Sequence, residues 1–419
     1  MKTLNYLSPR SLLVYAGALL FAFTLVPPGI YVRYMDEPNM MFGNIVLYLF
    51  LFCCLTVLRL GVYLASRAPA VRVPLLPSML KVGPFSYLLA PVGVALGLLA
   101  ATIALVLHNS PGILALALSG QGAEVKSAMT EASNGAFNGS LPLAMGVSWW
   151  ALAKYLDSRA YISRMQRVLV SVLVALLVLA LILAAALMMS RFVLMPTLCG
   201  LFVIYVRHKI VNDGIRVGWF ILRTVIALAL ALILFGLFSV LRTGSDGHAM
   251  AQSFIGYGPA SLNHLAALLE GRLDTKGLDQ YLRQENFGFF YKFPFMTSLL
   301  GNADTFAEGF QSMFNRTWGS GLNGAYIWFT SFGEIAAQLN VLSIVYLLVY
   351  GYFVGRAWRG FVKATTFGMI TYPWAAFGLL SSFGYNIIAK SFLSVLLLLA
   401  LLLWAYSGLV RVKQKYRAM

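Results

Sequence analysis

Ten runs of roughly twenty mostly apolar residues constrain this chain more than any other feature; they lie near 11–32, 42–65, 83–107, 139–156, 167–189, 192–206, 217–241, 335–355, 362–382 and 388–410. A helix needs about 20 such residues to cross a hydrocarbon core about 30 Å thick. Inside that core each backbone N–H and C=O must be bonded within its own segment, which a helix achieves alone. The expected fold class is therefore all-α, a polytopic transmembrane helix bundle of about ten spans. Charged residues occupy 11% of the 419 positions and hydrophobic ones 60%, against about 25% charged in a soluble chain. That supply cannot cover a water-facing surface, so lipid must cover much of it. The first run ends at Pro27-Pro28-Gly29 without a small-x-small cleavage site and reads as an uncleaved first helix.

The connecting segments carry a charge asymmetry. With the N-terminus placed in the cytoplasm, 21 of the 31 Lys and Arg fall on that side, and of the 14 acids only Asp157 and Asp213 join them. The inside is then +19 and the outside −2 of the net +17. Every inside segment carries at least two cations, as the positive-inside rule requires, and an even span count puts both termini in the cytoplasm. The same count accounts for the basic pI near 9.8. The cations flank helices in six short segments rather than forming one basic stripe, so no nucleic-acid partner is expected. Cys53, Cys54 and Cys199 lie inside apolar runs, match no metal spacing, and read as small buried hydrophobes.

Two outside segments exceed a simple connection, dividing the chain into an N-terminal bundle (1–241), an extracytoplasmic loop (242–334) and a C-terminal set of spans (335–419). The shorter segment, 108–139, reads as a surface loop with a possible short helix around Glu124, Lys126 and Glu131. The 93-residue loop 242–334 is long enough to need secondary structure of its own. Ser261 to Gly271 fits an amphipathic helix, with Ser261 as N-cap and Gly271 just past the end. Lys276 to Arg283 fits a second. Phe287 to Phe295 is aromatic at six of nine positions and suits the headgroup level. Then come Asp304, Glu308, Asn315, Arg316 and Trp318, followed by Glu334 at the entry of the eighth run. Glu334 is either an ordinary first-turn carboxylate favoured by the helix dipole or a used charge at the hydrocarbon edge.

Arg242, Arg272, Arg283 and Arg316 all lie on this loop, and a guanidinium fork matches phosphate oxygens bidentately. His248 and His264 are possible proton acceptors, His264 being better placed on the amphipathic segment. No HExxH, CxxC, GxSxG or Walker pattern occurs, which leaves metalloprotease, redox, serine-hydrolase and NTPase chemistry without support.

Over about residues 254–345 the chain resembles the Wzy-type O-antigen polymerases, bacterial oligosaccharide repeat-unit polymerases. The residues that carry the resemblance are Gly256-Tyr257-Gly258-Pro259-Ala260-Ser261-Leu262, Gly321-Leu322-Asn323-Gly324-Ala325-Tyr326 and Phe332-Gly333-Glu334. Some members carry Arg-x10-Gly in their external loops, and no external arginine of this chain has a glycine eleven residues on.

The resemblance implies an inner-membrane glycosyltransferase that needs no metal or other cofactor. It would move a growing glycan from one undecaprenyl pyrophosphate to a sugar hydroxyl of another lipid-linked unit. Its partners would be that lipid-linked oligosaccharide, membrane lipid and a chain-length regulator. Glu334 or His264 would then be the base; Arg316, Arg283, Arg272 and Arg242 would hold the pyrophosphate; Tyr257 and Asn323 would contact sugar. The aromatic run would lie beside a polyprenyl chain.

Three other classes remain open. An O-antigen ligase shares this organisation. A polyprenyl-phosphate-sugar glycosyltransferase would use acids in the first external loop, where Asp36-Glu37 reads as a simple interfacial turn. A lipid-linked oligosaccharide flippase would need ionisable groups deep in its spans, and only Arg223 lies well inside one.

Overall fold

The computed structural model describes residues 2–69, 84–113, 125, 132–133, 135–159, 162–188, 190–214, 217–243, 247–276, 278–290 and 306–417, among which there is no strand. The helices are α1 (Pro9–Thr24), α2 (Pro28–Met35), α3 (Ile45–Arg67), α4 (Pro84–Asn109), α5 (Phe137–Ser158), α6 (Arg164–Leu187), α7 (Arg191–Asp213) and α8 (Val217–Thr243). They continue with α9 (Gly247–Tyr257), α10 (Pro259–Leu269), α11 (Asp279–Phe287), α12 (Phe306–Gly319), α13 (Thr330–Leu339), α14 (Ser343–Val362), α15 (Thr366–Leu380) and α16 (Phe392–Arg417). The chain is thus an all-α, multi-pass helix bundle. Side chains set several of the starts: Asn44 accepts the Leu47 N–H at 3.0 Å before α3, and Ser163 with Gln166 forms a capping box before α6.

Among the described residues, seven helices are long and apolar enough to cross a membrane, or eight if the bent pair α1–α2 counts as one span. The expected first span, 11–32, is therefore not one straight helix: α2 leaves α1 at 83°. Pro28 lacks an N–H and holds Pro27 extended (φ −56°, ψ 134°), so the helical ladder cannot continue past Thr24. Two further expected spans are interior helices. At about 1.5 Å per residue, the 15-residue α15 is too short for a hydrocarbon core about 30 Å thick. The 22-residue α5 carries Asn138, Ser140, Ser148, Lys154 and Asp157, and buries Trp149 and Trp150 completely. Both are largely buried within the bundle, though Phe367 of α15 is exposed and Leu152 and Tyr155 of α5 are only half-buried.

Helix α3 packs backbone to backbone against α14, and the sequence basis is two small-xxx-small steps, Gly61/Ala65 and Gly351/Gly355. A Cβ on Gly351 would lie 2.2 Å from the Leu58 carbonyl oxygen, and one on Gly61 2.2 Å from that of Leu348. Lipid tails are as apolar as leucine, so close backbone packing rather than hydrophobic burial holds such helices together. Gly351→Ala is expected to destabilise the protein by about 1–3 kcal/mol, because the obstacle is backbone and cannot swing aside. Gly97→Ala, where a Cβ meets nothing within 4 Å, should not. Thermal unfolding of both variants in detergent checks this, and equal midpoints would remove the packing argument.

Residues expected on one side of the membrane meet one another. At one end Asp157 lies 3.9 Å from Arg207, and Arg207 Nε donates to the Phe361 carbonyl at 2.9 Å. There too Arg359 Nη1 donates to the carbonyls of Ala65 (2.8 Å) and Ala68 (2.5 Å). The first loop meets residues of 242–334 at the opposite end. That long segment is no detached domain, since α10 packs on α1, α3 and α13. Both expected loop helices are present as α10 and α11. Ser261 is not the N-cap of α10, however: Pro259, with its fixed φ and no N–H to satisfy, takes the first helical position two residues earlier. Gly271, at φ +73°, closes the helix as expected.

Candidate functional site

The loop glycines are explained by close approach. A Cβ on Gly256 would fall 2.1 Å from the Tyr326 ring, and one on Gly258 2.7 Å from the Phe23 ring. This contact brings the segments around 256–262 and 321–326 together, with Tyr257 edge-on to Tyr326 at 5.8 Å.

Beside them lies a closed polar clasp. Glu37, 3% exposed, accepts at Oε1 from the Tyr31 hydroxyl and from Asn263 Nδ2 (3.0 Å), and at Oε2 from His264 Nε2–H (3.1 Å) and the Asn323 backbone N–H. Asn263 Oδ1 takes the Met40 N–H at 2.6 Å, and Asn323 Nδ2 donates to the Met35 carbonyl at 3.0 Å. Burial alone would raise the Glu37 carboxyl, but His264, Tyr31 and the Asn323 amide together hold it below the ordinary carboxylate range. Asp36-Glu37 is thus more than an interfacial turn. Asp36 does turn the chain, at φ 54°, but Glu37 is swung into the core as the anchor of the long loop. His264 is fully buried against that carboxylate, with Nδ1 unpartnered, and Asn323 serves the clasp through its own amide.

A second polar cluster lies across α13. Glu334 is 1% exposed and accepts the Asn386 N–H at 2.9 Å. Asn386 Nδ2 donates to Asn286 Oδ1 (3.1 Å) and to the Tyr346 hydroxyl (3.0 Å), while Asn286 Nδ2 donates to the Glu334 carbonyl (2.8 Å). Next to this network, Glu285 on α11 and Lys390 at the start of the last helical stretch form an ion pair, the carboxylate buried and the ammonium partly open. Burial, then the Glu285 and Glu334 charges, push the Tyr281 phenol up. Burial, Glu285, Tyr257 and Glu334 do the same to Tyr385.

Over the ion pair runs a half-buried aromatic ledge. Tyr257 lies 5.1 Å from Trp328, Trp328 stacks on Tyr385 at 5.9 Å, and the Lys390 ammonium sits 4.7 Å over the Tyr385 ring. Flat aromatic faces beside a cation and carboxylates suit a polyhydroxylated ligand bearing an anionic group.

Arg272 and Arg316 lie elsewhere. Arg272 pairs with Glu270 at 3.3 Å and Arg316 with Asp274 at 3.8 Å, both on the exposed rim. Arg283 is half-buried on α11, and the Arg242 side chain falls outside the described residues. Exposed His248 lies 5.2 Å from the Tyr34 ring. Phe287 packs edge-on to Tyr346 at 5.5 Å, while Tyr291 to Phe295, Glu124, Lys126, Glu131, Asp304 and the Glu308 side chain are outside the described residues.

Of the sequence candidates, Tyr257 joins the ledge, Glu334 lies beneath it, and His264 and Asn323 belong to the clasp. Glu285, Lys390, Asn286, Asn386 and Trp328 escaped the sequence reading. Lys390 alone carried a signal, as a cation placed inside the last apolar run. Among the described residues no three His, Cys, Asp or Glu gather as metal ligands.

Fold and site together define a multi-pass, all-α membrane protein with a buried-acid, aromatic-lined site at one end of its bundle. Compared with protein-family models, curated proteins and solved structures, the chain matches none.

Proposed function

We propose that this protein is an inner-membrane glycan polymerase with its site on the extracytoplasmic side and both termini cytoplasmic. It would transfer a growing polysaccharide from undecaprenyl pyrophosphate to a sugar hydroxyl of a second lipid-linked repeat unit. The observation that carries the reading is the Glu285–Lys390 pair under the Tyr257–Trp328–Tyr385 ledge. Sugar rings stack on the ledge, and the pyrophosphate draws Lys390 away from Glu285. The freed carboxylate takes the acceptor hydroxyl proton as that oxygen bonds to the anomeric carbon. The bond from that carbon to the pyrophosphate oxygen breaks, and the electron pair leaves with the lipid pyrophosphate, stabilised by Lys390. Glu334 holds the Asn386 backbone behind the pair, and Arg316 and Arg272 on the rim attract the anionic substrate.

The test is the purified protein in vesicles with lipid-linked repeat units. A ladder of lengthening lipid-linked chains is expected. Transfer only to lipid A core would make the protein a ligase, and movement across the bilayer without elongation a flippase; either replaces this reading.

A further inference from the structure

We infer that the groove between α5, α6 and α7 is a binding site for one anionic glycerophospholipid, distinct from the site above and independent of that reading. The open groove has a volume of about 450 Å³ and is walled by Leu152 and Tyr155 of α5, Ser171, Val178 and Ile182 of α6, and Leu201 of α7. From Ser171 to Ile182 the α6 wall runs about 16 Å at 1.5 Å per residue. That matches one leaflet, half of a hydrocarbon core about 30 Å thick. At one end of the groove Ser171 Oγ donates to the Tyr155 hydroxyl at 2.8 Å. The other walls are aliphatic, and one acyl chain fits them.

The headgroup chemistry follows from what surrounds the polar end. Arg167 precedes Ser171 by one helical turn on the same face of α6, its Nε donating to the Ile162 carbonyl at 3.0 Å. Arg164 opens that helix, whose N-terminal N–H groups also favour an anion. Arg159 follows α5 at once. The acid in this stretch, Asp157, already faces Arg207 (3.9 Å) and His208 (3.8 Å). An apolar slot one leaflet deep, capped by a surplus of cations, selects a phosphate-bearing lipid with no compensating positive headgroup.

The experiment is native mass spectrometry of the full-length protein after incubation in equimolar phosphatidylglycerol and phosphatidylcholine vesicles. One phosphatidylglycerol should stay bound where phosphatidylcholine does not. Arg164→Gln and Arg167→Gln should each weaken that preference about fivefold. Ala175→Phe, at an exposed position lining the groove, should abolish retention by filling the slot, and it decides the matter alone if the arginine variants fail to fold. Equal retention of both lipids, or retention unchanged by Ala175→Phe, overturns the proposal.

Discussion

Glu285→Gln protein is expected to elongate lipid-linked glycan at least about 100-fold more slowly than the parent, the usual contribution of a positioned proton acceptor. Lys390→Met should lose comparably, since the departing pyrophosphate then lacks its cation. Lys390→Met also strands the buried Glu285 carboxylate, and removing one partner of a buried ion pair costs about 3–5 kcal/mol. The double variant Glu285→Gln/Lys390→Met separates the two effects. It leaves no uncompensated charge, so its thermal midpoint should return towards that of the parent while turnover stays low. A double variant that regains both stability and elongation would reduce the pair to a structural strut. The polymerase reading would then lose its chemistry.

Glu37→Gln should destabilise the fold by about 3–5 kcal/mol, a large loss for a side chain in a tight turn. The carboxylate accepts four hydrogen bonds, two on each oxygen. A glutamine amide puts an NH₂ against either the His264 and Asn323 donors or those of Tyr31 and Asn263. Two donors are stranded whichever way it flips, at about 1–3 kcal/mol each. The same group gives a pH dependence whose sign is set by its lowered pKa. The unfolded carboxyl titrates near 4.3, and the folded one lower. The stabilisation is therefore complete above about pH 4.3 and is lost as pH falls through the folded value. Thermal unfolding of the parent should weaken across that acid window while Glu37→Gln, already lacking the contribution, stays flatter. Parallel pH profiles for the two proteins would show that Glu37 does not hold the clasp as an anion. Proteolysis between residues 242 and 334 should rise in the variant, because the clasp ties that segment to the first loop.

Much of the fold was legible because its determinants are local. An apolar run of given length, a proline, a cap residue or a glycine past a helix end acts within a few residues, so α3, α4, α6, α8 and α10 fall close to where the sequence places them. Pro27-Pro28 was visible too, but whether two prolines end a span or merely kink it depends on what α2 packs against. The interior placement of α5 and α15 was likewise hidden: an apolar helix wrapped by protein and one wrapped by lipid look alike in one dimension.

The candidate site was less legible, for the same reason. Residue types pointed to the segment 242–334 and to Tyr257, Asn323, His264 and Glu334, yet partners belong to the tertiary structure. By sequence His264 is a possible proton acceptor, but in the structure Glu37, 227 positions away, lies against it. Glu285 and Lys390 are 105 positions apart and belong to no motif. The sequence by itself determined that this is a membrane-spanning helical protein and which residues share each side of its bundle, since apolarity and charge act locally at the lipid boundary. Only the tertiary structure decided which buried carboxylate faces which cation, because desolvated charges are tolerated only where distant segments bring donors to them.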